Sequence, residues 1–143
     1  MSLTNRSFLY AAALSALTLV TFSAQGESDA AHPTAVEIVQ LPKFCWKQMG
    51  APNVSGPEFT IQNDCGPGMN HYCAGLVALM RAKTATSKGQ RLSMLGLADT
   101  NVRYTENWMK DYPNCSIRDH VAASRAEVNH LMAIFGYDRA RAK

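Results

Sequence analysis

Apolar positions along the chain fall into three textures. Residues 8–22 form an unbroken apolar and small-residue run, residues 32–68 show no sustained period, and from residue 69 onward apolar positions recur at helical spacing. The recurring part predicts three helices. The first covers residues 70–86, with Tyr72, Cys73, Leu76, Val77, Leu79 and Met80 on one side. Ser87-Lys88-Gly89 is a polar break. The second covers residues 91–111, with Leu92, Leu95, Ala98, Val102, Thr105, Trp108, Met109 and Tyr112 inward, and Gly96 and Ala98 small enough for close helix approach. Pro113-Asn114-Cys115 stops it, and Ser116 opens the third with Asp119 in an approximate capping box. Ile117, Val121, Ser124, Val128, Leu131, Met132 and Phe135 make the cleanest amphipathic stripe, closed by Gly136. Short links favour antiparallel neighbours, so the expected fold is all-α: a three-helix antiparallel bundle behind an irregular, disulfide-stapled N-terminal arm.

The run at residues 8–22 is too short to span a membrane, since fifteen residues at about 1.5 Å each fall well short of roughly 30 Å of hydrocarbon. Arg6 is the one charge before Glu27, and small residues offer cleavage after Ala24, Gly26 or Ala30. The expected division is a signal peptide at 1–26 (cleavage as late as residue 30), an arm at 27–68, a helical domain at 69–137 and a basic tail at 138–143. In the tail, Arg139, Arg141 and Lys143 are expected to be solvated. No Cys near the cleavage region supports a lipid anchor, so no direct membrane attachment is expected after cleavage. The location implied is periplasmic or secreted.

Export changes the reading of Cys45, Cys65, Cys73 and Cys115. An even count in an oxidising compartment points to two disulfides. Spacings of 20, 8 and 42 positions suit a four-thiolate metal site poorly, because such sites draw ligands from close pairs. Antiparallel helices bring Cys65 and Cys73 near Cys115, which favours Cys65–Cys115 and Cys45–Cys73 while leaving other pairings open. The arm holds five of the six prolines, Pro33, Pro42, Pro52, Pro57 and Pro67. Residues 34–41 are β-branched and read as a short strand or extended lead-in. Phe44 and Trp46 beside Cys45 imply that the arm lies across the helical core.

Tyr72, Gly75 and Leu76 on the first predicted helix, then Ala98, Val102, Tyr104 and Pro113 on or after the second, resemble a tetratricopeptide-like helix pair. The resemblance implies helical hairpins, although only about one and a half units fit and the link at 83–90 is long for a 34-residue unit. The stretches Cys45-Trp46-Lys47-Gln48, Cys65-Gly66-Pro67-Gly68-Met69-Asn70-His71-Tyr72-Cys73 and Pro113-Asn114-Cys115-Ser116-Ile117 are similar to those of small exported bacterial proteins of unknown role. That second resemblance covers most of residues 41–135. It implies a periplasmic helical protein and carries no chemistry.

Candidate chemistry is sparse. Met69 and His71 could present thioether and imidazole to copper; the simpler reading is a helix start capped by Asn70, with His71 half exposed or bonded to the arm. Cys-x-x-Cys-His is absent, since Ala74 follows Cys73. His120 and His130 lie about 15 Å apart along one helix. No nucleophile-bearing turn accompanies Asp119 and His120. Asp99, Glu106 and Asp111 read as a solvated face. The net charge of +3 comes without a clustered Lys/Arg patch, which gives nucleic-acid binding no support. Arg81, Arg103, Tyr104, Asn107 and Lys110 are expected to line exposed helical faces suited to a protein partner. The expectation is therefore an exported, non-enzymatic protein without cofactor that binds or braces another protein, for example as an accessory subunit of an envelope complex. The alternative is a small periplasmic copper-binding protein or chaperone centred on Met69 and His71.

Overall fold

The computed structural model describes residues 32–139; the expected signal peptide, Arg141 and Lys143 lie outside the described residues. Four α-helices follow in order: α1 Ala35–Gln40, α2 Tyr72–Thr84, α3 Lys88–Met109 and α4 Arg118–Phe135. Between α1 and α2 the chain makes 3-10 turns at Lys43–Cys45, Pro57–Phe59, Asn63–Cys65 and Pro67–His71. Pro57 and Pro67 open two of these turns, where a missing N–H costs nothing. No strand occurs among the described residues.

Residues 34–41, expected as a short strand or extended lead-in, instead hold α1. Thr34 Oγ1 accepts from the Glu37 N–H at 3.2 Å, and the Glu37 carboxylate accepts from the Thr34 N–H at 2.7 Å. This reciprocal box satisfies first-turn donors locally and outweighs the β preference of Val36, Ile38 and Val39. Ile38 is the buried residue of α1.

Boundaries of the larger helices shift by a turn or less. The chain enters α2 through the Pro67–His71 turn, and no side chain caps it. Asn70 is exposed, and its carbonyl accepts from the Gln48 side-chain amide of the arm. Ser87 caps α3, its hydroxyl accepting from the Gln90 N–H at 3.2 Å. Arg118 closes α3, donating to the Met109 carbonyl at 2.8 Å and the Tyr112 carbonyl at 2.7 Å, where the helix dipole favours a cation. Ser116 does not cap α4. Its N–H and hydroxyl turn to Asp64, at 3.0 and 3.4 Å, and Ile117 takes the position before the helix. Gly136 ends α4 at φ 67°, in the left-handed region where glycine carries no steric cost.

Helix α3 is central, packing against both α2 and α4. Leu95, Ala98 and Val102 of α3 meet Val77 and Ala78 of α2 and Val121 and Val128 of α4 in one core. Helix α2 approaches α3 closely at Gly75, where a Cβ would sit 3.0 Å from the Asn101 Cβ and 3.4 Å from a Val102 methyl. Gly96 serves differently: it lies under the Tyr137 ring, after the α4 cap. Between α2 and α4, the buried Tyr72 hydroxyl bonds Ser124 Oγ at 2.9 Å. Burial pushes the Tyr72 phenol up to about 12, with the Ser124 bond opposing. Lys83 and Glu127 link the same helices at the surface, 2.9 Å apart.

Two disulfides, Cys45–Cys73 and Cys65–Cys115, join arm to helices, and all four cysteines are buried. Phe44 stacks on Tyr72 with ring centroids 6.3 Å apart and meets the His120 ring edge-on at 5.2 Å. Trp46 donates its indole N–H to the Leu41 carbonyl at 3.0 Å and packs on Phe59. The arm lies across the helices, held covalently and through aromatic rings.

Candidate functional site

Helix α3 spends one side on α2 and another on α4, which leaves a third turned outward. Arg103, Asn107 and Lys110 stand there at i, i+4 and i+7, so they form one row. Tyr104 and Trp108, again four apart, form a second row beside it, 39% and 38% exposed. Trp108 was expected inward; it stands at the flank of the buried stripe instead, partly exposed and lying over Gly68. A Cβ on Gly68 would collide with the Trp108 ring, so the 3-10 turn before α2 provides the floor under Trp108.

His71 extends the aromatic row. Its ring centroid is 4.2 Å from that of Tyr104, and Tyr104 is 6.4 Å from Trp108. The His71 Nδ1 meets Asn101 Oδ1 at 2.8 Å, while the Asn101 Nδ2 donates to the Leu97 carbonyl at 3.0 Å. That second bond fixes which way the amide faces. An amide oxygen only accepts, so Nδ1 carries the imidazole hydrogen. His71 is thereby tied to α3; of the two expected states, half exposed fits its partial burial and bonding to the arm does not occur. In the other row, Lys110 Nζ donates to Asn107 Oδ1 at 2.9 Å. Asn107, Trp108 and Asp111 border a shallow depression of about 260 Å³.

Towards α4 the outward face ends in an ionic cluster. Asp99 is only 3% exposed, contrary to the solvated position expected of it. Arg125 Nη1 reaches Asp99 Oδ1 at 2.6 Å and Arg125 Nε reaches Glu106 Oε2 at 2.7 Å. Arg139 brings Nη2 to Asp99 Oδ1 at 2.9 Å and Nε to Oδ2 at 3.2 Å, and also holds Asn129 Oδ1 at 2.6 Å. Arg139 is therefore paired with Asp99 while its side chain stays 48% exposed, so the expected solvation holds in part. The guanidinium fork of Arg139 offers the buried carboxylate directed, charge-assisted hydrogen bonds. Burial alone would raise the Asp99 carboxyl; hydrogen bonds from Arg139 and Arg125 outweigh it and hold the group below its ordinary value. A carboxylate so held is a poor proton acceptor at neutral pH.

Of the five residues expected at a partner surface, Arg103, Tyr104, Asn107 and Lys110 share this face. Arg81 does not. It lies under α1, with Nε 2.6 Å from Glu37 Oε1 and Nη2 3.0 Å from Oε2, a bidentate pair joining arm to α2. The Arg81 hydrogen bonds draw the Glu37 carboxyl down to about 2, against the opposing effect of its partial burial.

The Met69 and His71 pair is divided between two tasks. Met69 is buried in the core beneath the 3-10 turn, and His71 is engaged by Asn101 and Tyr104. Among the described residues, no group of three or more His, Cys, Asp or Glu could hold a metal ion, and no cysteine is left unbonded. His120 packs on Phe44 at the rim of a groove of about 400 Å³ between arm and α4, while His130 is exposed further along α4.

Trp108 and His71 are the surface residues that sequence reasoning left out. The four-residue step from Tyr104 to Trp108 was the available signal for one. The i, i+3 step from Thr34 to Glu37 was likewise the signal for α1. The chain matches no known family model, no curated protein and no solved structure.

Proposed function

We propose that this is an exported, non-enzymatic helical protein that binds or braces another protein, as an accessory subunit of an envelope complex. The α3 face is its contact surface. The observation that carries the reading is the ordered row His71–Tyr104–Trp108 beside Arg103, Asn107 and Lys110. Aromatic and arginine side chains dominate the energetics of protein interfaces. Rings already fixed by Asn101 and Gly68 lose little further freedom on docking.

Export is supported by the two disulfides, which are consistent with an oxidising compartment. A tetratricopeptide-like packing of α2, α3 and α4 is supported by the close approach at Gly75 and by the central place of α3. Short helical arrays of that kind leave outer faces open for partners and need an outside source of stability. Here the disulfides supply it.

The test is recovery of complexes from detergent-treated envelopes with the native chain and with Tyr104→Ala/Trp108→Ala. The native chain should bring down a defined protein, and the double variant should lose it while keeping its helical circular dichroism. A native chain that always elutes alone, or a variant that retains the partner, would refute the reading.

A further inference from the structure

We propose that the α3 face receives an acidic amphipathic helix of the partner protein, with the partner's carboxylates set against Arg103 and Lys110 and its apolar side chains against Tyr104 and Trp108. This rests on the reading of α3 as a contact surface and gives that surface a ligand chemistry.

Charge is the first argument. In the cluster at the edge of the face, three guanidinium groups (Arg103, Arg125 and Arg139) meet two carboxylates, Asp99 and Glu106. Arg125 and Arg139 take the short contacts with the Asp99 oxygens. Arg103 is left with a 3.7 Å approach and a side chain 52% exposed. The surplus positive charge of the cluster thus stands at its outermost member, one position from Tyr104. Lys110 adds a second cation two turns on, with Asp111 beside it at that end, so the surplus positive charge of the face rests on Arg103. A guanidinium in this state binds a carboxylate with both forks and little further desolvation.

Shape is the second argument. The face belongs to a helix whose backbone groups are consumed within it, so it offers no edge for strand addition. Rows four residues apart, 103–107 and 104–108, are the ridges into which another helix packs. The cationic row and the aromatic row run side by side, so a matching helix needs acidic residues along one flank of its apolar stripe. From Arg103 to Lys110 the contact runs for about 10 Å, or two turns.

The experiment uses three synthetic peptides with the full mature chain. One is a helix with Leu at i, i+3, i+4 and i+7 and Glu along one flank, the second has Lys at each Glu position, and the third is proline-rich. Titration calorimetry gives affinity, and the indole N–H resonance of Trp108 reports where binding occurs. The acidic helix should shift that resonance and bind at least tenfold tighter than the basic one, with affinity falling as salt rises. Arg103→Glu/Lys110→Glu should reverse the preference. Equal or tighter binding of the basic or proline-rich peptide, an unreversed preference, self-association through this face in place of peptide binding, or no response from Trp108 would overturn the proposal. A partner protein recovered through Tyr104 and Trp108 whose docking segment is neither acidic nor helical would overturn this inference alone and leave the proposed function standing.

Discussion

The arm at residues 32–71 and the helices at 72–139 stay ordered by different means. The helices bury continuous apolar stripes, so Leu95, Val102, Val121 and Val128 lose all contact with solvent. The arm has no such stripe. Its order comes from two disulfides, the Glu37–Arg81 fork, the Trp46 bond to the Leu41 carbonyl and the Gln48 bond to the Asn70 carbonyl. Few backbone hydrogen bonds of the arm fall in regular structure, and the side chains and cysteines take over that task. The contrast teaches that a small domain can extend its surface beyond its core if individual bonds replace periodic burial.

Separating the two regions is the strongest way to break this contrast. Chain-entropy reasoning assigns about 3.5 kcal/mol to Cys45–Cys73 and about 4 kcal/mol to Cys65–Cys115, because they close loops of 28 and 50 residues. Cys45→Ala/Cys73→Ala and Cys65→Ala/Cys115→Ala should each lower the free energy of unfolding, the second pair by more, measured by denaturant titration. In the first variant, hydrogen exchange should show the arm losing protection while α3 keeps it. Equal loss in both regions would show that they are not held separately.

Next in size is Leu95→Ala, which leaves a cavity where α2, α3 and α4 meet and should cost about 3 kcal/mol. Denaturant titration should show the loss, and α2, α3 and α4 should all lose hydrogen-exchange protection together.

The division also sets what could be read from the chain. The helices were legible because Val121, Val128 and Met132 repeat at the helical period. The cysteines were legible because an antiparallel hairpin brings the start of α2 near the end of α3. Arm conformation was not, since a β-branched segment such as Val36-Glu37-Ile38-Val39 suits either state until its capping box is weighed. Asp99 was misread because a lone carboxylate on a helix looks solvated; its burial depends on Arg125, 26 positions away, and Arg139, 40 positions away. Pairing at such separation leaves no local trace. Of the surface, the α3 residues were visible as exposed types, but the contribution of His71 depends on the α2–α3 crossing and was not.

Acid sharpens the comparison. The folded-state Glu37 carboxyl sits at about 2, below its ordinary value of 4.5. Its stabilising contribution is therefore present above pH about 4.5 and is lost as pH falls through about 2. Asp99 is shifted in the same direction, so the cluster at Arg125 and Arg139 also weakens on acidification. Carboxyl NMR titration should place Glu37 and Asp99 below their ordinary values. Glu37→Gln should move the Arg81 side-chain resonance and flatten the acid dependence of the arm without changing that of α4. An unshifted Glu37 would remove the ionic tie between arm and α2.

The smallest expected effect is Thr34→Ala. Losing the cap should cost about 1 kcal/mol and confine itself to α1, read as faster amide exchange at Glu37 and Ile38.

The central claim, that the outward side of α3 is a partner surface, is most directly tested by photo-crosslinking in intact cells. A benzoyl-phenylalanine at position 104 should yield one discrete adduct with another protein. The same group at position 134, an exposed apolar residue on α4, should yield none. Equal adducts at both positions, or none at 104, would contradict the account.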